Sequence, residues 1–322
     1  MVLARFLLLS LLAGSAAYQP VPVFAADGDR PGAPSATEVM PRRFGQREAD
    51  EAFGAYQRGL YVTARELAEP RAELGDPAAQ TLLGEIYSRG LGVSRNEAEA
   101  AKWYGRAAEQ GVVEAQFQYA MMLMDGRGVT RDAKQALALM EEAANAGNRL
   151  AQFNFAQMLL ASAAVPDAET SKRAVDYYEL AAEQKLPDAE YAMAQALATG
   201  SGGRAVDDAR ARIYLERAAK QGYDTAQLDY ASWLIEGRGG TRDMTAGFNW
   251  MKKAAEGGNV AARGRLAKLY VDGLGVEGDP VSGAAWYLRA QRAGLRDPYM
   301  DDHLRGLTEA QLKSAEEQAD KL

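Results

Sequence analysis

The sequence predicts an all-α fold, a right-handed α-solenoid (superhelix) of helix-turn-helix repeats. Two observations carry this prediction: one pattern of small and large apolar residues recurs at a near-constant spacing, and most copies place a Gly-x-Gly string between two helical segments. Spacing of this kind is typical of repeat architectures, in which each unit buries its apolar face against its neighbours. It excludes an ordinary domain with a single core.

The clearest copy spans residues 79–111 and has the pattern of a helical hairpin. In its first half Ala79, Leu83 and Tyr87 share one helical face, because steps of four and eight residues return to nearly the same side. The second half is rich in Ala, Glu, Lys and Arg, which favour helix. The turn between the halves contains two residues that adopt left-handed backbone conformations easily, Gly90 and Gly92.

Five further copies follow, and the alanine that opens each copy serves as its marker. The six markers are Ala79, Ala115, Ala151, Ala189, Ala226 and Ala262, separated by 36, 36, 38, 37 and 36 residues. Large apolar residues stand four and eight positions after each marker, and a glycine or alanine stands five positions after it. Large side chains beside tiny ones let two helices approach closely. We therefore expect these positions to point inward.

The recurring strings AQxxLG (79–84), YxxGxGV (87–93) and WYxxAA (103–108) resemble Sel-one-like repeats, a branch of the tetratricopeptide superfamily. The resemblance covers roughly residues 44 to 294. It implies a scaffold for protein contacts, because the family is mostly used in this way. A fold does not by itself fix a function.

The third and fourth repeats depart from the pattern at their turns. Ser162 and Ala164 replace the paired glycines of the third repeat, and its second helix is predicted to resume near Ser171. The fourth repeat has the looser turn 200–203. Two interpretations stay open, namely a change of superhelical pitch around residues 160 to 205 and simple drift in a tolerant loop.

The repeats and their flanks predict five segments. They are a signal peptide (1–25), a flexible lead-in (26–43), an N-terminal capping helical pair (44–75), six Sel-one-like repeats (76–294) and C-terminal capping helices (295–322). Terminal repeats are expected to be atypical because one of their faces meets water. In the last segment, Thr308 and Gln311 have the spacing of a capping box.

The N-terminus has the features of a secretory signal. Arg5 precedes an apolar run over residues 6–17, and small residues at Val23 and Ala25 suit cleavage before Ala26. The run is shorter than the ~20 residues needed to span a bilayer. We expect a periplasmic or secreted protein with no membrane insertion after cleavage.

Composition excludes several functional classes. The formal net charge of -7, from 44 acidic and 37 basic residues, disfavours a nucleic-acid surface, which needs a basic stripe. Cysteine is absent, which rules out disulfides, thiolate metal sites and thiol catalysis.

The sequence offers no candidate for catalysis, cofactor binding or metal binding. The single histidine, His303, has acidic neighbours in Asp301 and Asp302, but a metal site would need further His or Cys ligands. The Gly-x-Gly strings lack the spacing of dinucleotide and phosphate loops, and no Gly-x-Ser-x-Gly string occurs. We therefore expect a protein that is not an enzyme, has no cofactor and is a monomer rather than an obligate oligomer.

The remaining candidate is a surface on the first helices. Positions three, six and ten residues after each marker should point away from the core, and they line the concave groove in superhelices of the family that the chain resembles. We predict that a protein partner binds there. The predicted binding residues are Leu82, Glu85, Gln118, Met121, Asp125, Asn154, Gln157, Gln195, Asp229 and Glu236.

An alternative ligand is an envelope glycan such as peptidoglycan. Aromatic residues stand two positions after three of the markers, at Phe117, Phe153 and Tyr191, and aromatic rings stack on sugars. The same residues could instead pack between repeats, and the sequence leaves both interpretations open.

Overall fold

The computed structural model describes residues 50–161 and 165–322. Within these residues the regular elements are sixteen α-helices and one short 3₁₀ turn, with no strand. The prediction of an all-α solenoid of helical hairpins is therefore confirmed. The predicted signal peptide and lead-in, the first residues of the N-terminal cap, and Ser162 and Ala164 lie outside the described residues.

The helices follow one another as hairpins. The N-terminal pair is α1 (Glu51–Gln57) and α2 (Tyr61–Glu73). The six repeats comprise α3 (Pro77–Arg89), α4 (Glu97–Glu109), α5 (Val113–Asp125), α6 (Ala133–Asn145), α7 (Arg149–Ala161), α8 (Ala168–Glu183), α9 (Pro187–Thr199), α10 (Asp208–Lys220), α11 (Asp224–Glu236), α12 (Met244–Glu256), α13 (Val260–Asp272) and α14 (Pro280–Arg292). Two further helices are α15 (Pro298–Gly306) and α16 (Glu309–Lys321).

The predicted inward positions form the core. All six marker alanines are buried, and so is the small residue five positions after each of them. Gly84 shows why this residue must be small, since a Cβ added there would lie 2.6 Å from the ring of Tyr104. Large residues four positions after the markers, such as Leu83 and Phe155, are also buried.

Tight junctions join one repeat to the next. Gly75 adopts φ +95° and ends the N-terminal pair, and the carboxylate of Asp76 then accepts hydrogen bonds from the N–H groups of Ala78 and Ala79 at 2.9 and 3.2 Å. Asn148 caps α7 in the same way. These side chains satisfy backbone donors that a helix start leaves unpaired.

The two glycines of a Gly-x-Gly turn have different roles. Gly126 ends α5 in the left-handed conformation, with φ +69°. Gly128 has φ +67° and also lies against the preceding repeat, because an added Cβ would come within 2.1 Å of the Glu97 carbonyl oxygen at the start of α4. Gly239 and Gly275 make the equivalent approach to Asp208 and Met244. The second glycine therefore permits close contact between repeats.

The irregular third and fourth repeats are held by capping and ion pairs. Helix α8 begins at Ala168, earlier than the predicted start near Ser171, because the Asp167 carboxylate accepts a hydrogen bond from the N–H of Thr170. In the fourth repeat a 3₁₀ turn over Ser201–Gly203 leads to Arg204. The Arg204 guanidinium binds two carboxylates of α8, at 2.8 and 2.7 Å, on Asp176 and Glu179.

The C-terminal helices cover the last hairpin. The predicted capping box of Thr308 and Gln311 is present at the start of α16. Ala315 and Ala319 of this helix are buried in one cluster with Ala284 and Ala285 of α14. The apolar face of the sixth repeat is thereby removed from water.

Candidate partner-binding surface

The candidate site is the first-helix surface, which we define as the residues three, six and ten positions after the markers. In the second to fifth repeats this surface is accessible. Its exposed members include Asp125, Gln157, Gln195 and Glu236, and its half-buried members include Gln118, Met121, Asn154 and Asp229. The structure thus places eight of the ten predicted residues where a partner can reach part or all of the side chain.

Leu82 and Glu85 of the first repeat are buried, contrary to the prediction. Only 7% of Leu82 and 8% of Glu85 is exposed, because the N-terminal helices pack against α3. The Glu85 carboxylate accepts a hydrogen bond from the Tyr104 hydroxyl at 2.8 Å, lies 3.5 Å from the hydroxyl of Tyr56 in α1, and pairs with Arg89 at 2.6 Å. These two residues therefore stabilise the end of the array and are not part of the accessible surface.

A polar cluster joins the fourth and fifth repeats on the first-helix surface. The Tyr191 hydroxyl donates a hydrogen bond to the Asp229 carboxylate at 2.9 Å, and the Gln195 amide donates to the same carboxylate at 3.4 Å. Burial raises the pKa of Asp229, although the hydrogen bond from Tyr191 and the charge of Arg265 partly oppose this. The cluster fixes the relative position of side chains from two adjacent repeats.

The centre of the first-helix surface, which we call the floor, consists of Met121, Asn154, Gln157 and Gln195. It carries three amide side chains and no charge. The Asn154 amide donates to the Leu150 carbonyl of its own helix at 2.8 Å. Gln157, one turn further along α7, is exposed. Amide side chains both donate and accept hydrogen bonds, so this floor can bind peptide backbone without a charged counterpart.

The aromatic residues two positions after the markers contact other parts of the solenoid. Phe117 is 1% exposed. The half-buried Phe153 ring lies 5.4 Å from the ring of Tyr178, and the Tyr191 ring lies 5.1 Å from that of Tyr223. These distances are those of packed aromatic pairs and fit the packing interpretation of the three residues.

A row of buried polar residues was not predicted from the sequence. It consists of the residues directly after the markers in the first five repeats, Gln80, Gln116, Gln152, Glu190 and Gln227, and we call it the buried amide row. Recurrence of glutamine at one phase of the repeat is the sequence signal for it. A polar residue that recurs beside a core position needs a partner, because an unpaired buried amide is costly.

Hydrogen bonds from the row connect the first, third and fifth repeats to the hairpin before them. The Gln80 amide donates to the Ala72 carbonyl at 3.0 Å, and Gln152 makes the equivalent bond to Ala144 at 3.2 Å. Within the first, third and fourth repeats, the residue directly after the second helix adds another bond to the row. These donors are Gln110 to Gln80 (2.7 Å), Gln184 to Gln152 (2.8 Å) and Gln221 to Glu190 (2.5 Å).

The described residues show no arrangement that suggests a metal site or a membrane span. A ring nitrogen of His303 lies 3.2 Å from the Pro280 carbonyl oxygen. Within the described part of the chain, no three acidic, histidine or cysteine side chains converge on one point. No helix in that part is both long and apolar enough to cross a bilayer.

The family model for the Sel1 repeat matches six consecutive segments, namely 77–112, 113–148, 150–186, 187–223, 225–259 and 260–295. The chain belongs to the Sel1-repeat family. Proteins with Sel1 repeats generally mediate protein–protein interactions, and the family is typically non-catalytic.

Two solved structures share this fold. A Sel1-repeat protein from Oxalobacter formigenes is 28% identical, with a TM-score of 0.65, over 78% of this chain and all of its own. A protective antigen of uropathogenic Escherichia coli strains, which displays an SLR fold, is 31% identical with a TM-score of 0.56. That match covers 81% of this chain and 64% of the antigen.

A curated relative carries a regulatory name. Chitin synthase regulatory factor 3 of Schizosaccharomyces pombe is 26% identical over 238 residues, which is 72% of this Sel1-repeat chain. The match spans about a quarter, 26%, of the length of the yeast protein.

Proposed function

We propose that this Sel1-repeat protein is an exported, non-enzymatic scaffold or regulator that binds a protein partner on its first-helix surface. The observation that carries the proposal is the accessible, uncharged floor formed by Met121, Asn154, Gln157 and Gln195 across three successive repeats. The signal-like N-terminus supports action in the bacterial envelope, on a sensor or another envelope protein.

The chemistry of this floor favours an extended or helical peptide segment. Amides on successive repeats can pair with the backbone of a strand that runs across them, while the Met121 thioether adapts to different apolar side chains. Acidic residues border the floor at Asp125 and Glu236. A segment with apolar anchors and basic or neutral ends therefore fits this surface better than an acidic one.

The yeast relative supports a role that is exercised through another protein. Its name assigns it to the regulation of a chitin synthase. A repeat array that holds a partner's segment can change that partner's activity without chemistry of its own. We extend only this mode of action to the present chain, with a different partner.

The test is a charge insertion into the floor. A Met121→Glu, Gln157→Glu double variant should keep its circular dichroism spectrum, because both side chains already reach solvent, and should lose the partner captured by crosslinking in the native cell. Gln135→Glu, at an exposed position of α6, adds a charge outside the first-helix surface. It should capture the same partner at the wild-type level.

Full capture by the double variant would refute binding on the first-helix surface. Mass spectrometry of the captured species tests the glycan alternative directly. If muropeptide fragments are captured and no protein is, the ligand is a glycan and the proposal of a protein partner is wrong. Loss of capture in Gln135→Glu alone would move the site to the second helices.

A further inference from the structure

The position of the buried amide row is occupied by arginine in the sixth repeat. Arg263 follows the marker Ala262, and its Nε donates to the Ala255 carbonyl at 3.2 Å. This is the backbone bond that Gln152 makes to Ala144. Arg263 thus keeps the inter-repeat hydrogen bond and adds a positive charge at a half-buried position.

A cavity of about 250 Å³ lies beside this arginine and is lined by Arg263, Arg289, Arg292 and Ala293. Its origin follows from comparison with the other repeats. Ala293 directly follows the second helix, at the position from which Gln110, Gln184 and Gln221 reach the buried amide row in other repeats. Replacement of that glutamine by alanine leaves the space open.

The cavity carries positive charge that the protein does not neutralise. Arg292 pairs with Asp320 at 2.8 Å, whereas Arg263 and Arg289 form no ion pair with any described residue. Burial and, after it, the charge of Arg289 lower the pKa of Arg263. Arginine nevertheless stays protonated near neutral pH, so two like charges face one space.

The pair formed by Arg263 and Arg289 has a different charge in other repeats. In the fourth repeat, Arg217 stands at the position of Arg289, three residues before the last residue of the second helix, and it interacts with the acidic Glu190. In the second repeat that position is Glu142, which accepts a hydrogen bond from Gln116 at 2.7 Å. In the sixth repeat the corresponding pair is arginine opposite arginine.

We propose that this cavity binds a phosphate dianion through Arg263, Arg289 and Arg292. Two guanidinium groups without a counter-charge match the double negative charge of the phosphate dianion. Their planar N–H groups can also donate paired hydrogen bonds to its oxygens. A carboxylate supplies half that charge. The volume is several times the roughly 30 Å³ that one water molecule takes up in the liquid, so a tetrahedral anion fits.

Calorimetric titration of the full chain with inorganic phosphate, near neutral pH and at fixed ionic strength, tests the proposal. We expect saturable one-to-one binding and a raised melting temperature, while acetate or chloride at the same concentration gives neither. Arg289→Gln should weaken phosphate binding at least about tenfold, because it removes charge-assisted hydrogen bonds. A parallel titration with phosphoserine shows whether the bound group is free phosphate or part of a larger molecule.

Two matched variants separate a site from general charge effects. Ala293→Gln restores the side chain found in three other repeats, and it should fill the cavity and abolish binding without a change of charge. Arg149→Gln removes one positive charge at an exposed position on α7 and should bind phosphate as the wild type does. The Met121→Glu, Gln157→Glu variant should also bind normally, because the first-helix surface is a separate site.

Absence of saturable phosphate binding would refute the proposal. So would equal affinity in Arg289→Gln and Arg149→Gln, since both would then act only through net charge. Acetate bound as tightly as phosphate would overturn the assignment of a dianion.

Discussion

Glu190 is the one carboxylate in the buried amide row, with an oxygen where the other members have an amide nitrogen. It is 2% exposed, and the Gln221 amide donates to its carboxylate at 2.5 Å. Burial raises its pKa, against the opposing charge of Arg217. A carboxylate cannot donate the bond that Gln152 gives to a backbone carbonyl, so its charged form is less well satisfied than a glutamine would be.

We predict that Glu190→Gln stabilises the protein at neutral pH, by ~0.5 to 1.5 kcal/mol. Because the pKa of Glu190 is raised in the folded state, its contribution to stability is full below the unfolded pKa and is lost as pH rises through the folded pKa. The stability difference between the variant and the wild type should therefore grow from about pH 4 to pH 7. Thermal unfolding at both values measures it.

Gln152→Glu is the matched control for this prediction. It places a carboxylate at the same position of the third repeat and should destabilise the protein at neutral pH more than in acid. A larger benefit of Glu190→Gln at the acidic end would show that burial does not raise the pKa of Glu190.

Ala156 tests the core. It is fully buried five positions after its marker, where two helices approach closely. Ala156→Leu should overpack this contact and lower the free energy of unfolding by ~1 to 3 kcal/mol. Ala161→Leu, at an exposed position at the end of the same helix, should change it little. Equal melting temperatures for the two variants in a thermal scan would contradict the inward assignment.

At the scale of single residues, the sequence predicted positions that depend on one repeat and its neighbour. The buried markers and the small residues five positions after them are of this kind. Leu82 and Glu85 were misplaced because their burial depends on α1 and α2, whose sequence does not follow the repeat pattern. The repeat pattern assumes that every repeat has a similar repeat on both sides. The terminal repeats do not, so the pattern predicts burial less well there.

The turn between the two helices of a repeat constrains how closely adjacent repeats stack. Gly126 and Gly128 have nearly the same positive φ, +69° and +67°, and yet their surroundings differ. A Cβ on Gly126 would have its nearest neighbour at 3.5 Å, whereas one on Gly128 would collide with the backbone at Glu97. The pair separates the effect of conformation from the effect of close approach.

We predict that Gly126→Ala lowers the free energy of unfolding by ~1 to 2 kcal/mol, through the left-handed backbone alone. Gly128→Ala should cost a further ~1 to 3 kcal/mol, because the second repeat must move away from the first. Denaturant unfolding of both variants measures the difference. Equal losses would mean that the contact with α4 relaxes without cost.

The same comparison shows what a turn pattern can reveal in advance. Glycine at both positions predicts a change of chain direction, because glycine adopts the left-handed backbone conformation of such a turn without a steric penalty. It does not distinguish a glycine needed for φ from one needed for space. That distinction depends on residues about thirty positions away, such as Glu97 for Gly128, and emerges only when the repeats are stacked.

At the scale of the whole chain, export remains a prediction from residues 1–25. If Arg5 and the apolar run that follows are a signal, mature protein should begin near Ala26 and be released by osmotic shock. N-terminal sequencing of the released fraction measures this. Full-length protein confined to the cytosol would exclude a role in the envelope and with it that part of the proposed function.

The uniform junctions have a consequence for how such a chain changes during evolution. Repeats two to five bury the same marker alanine at their junctions and, directly after it, a glutamine or glutamate. A gene duplication or deletion of one whole unit therefore rejoins compatible faces. The terminal units lack this freedom, because Glu85 is tied to Tyr56 and Tyr287 donates a hydrogen bond to Asp301. Recombination should lengthen or shorten the array from its middle, with both ends retained.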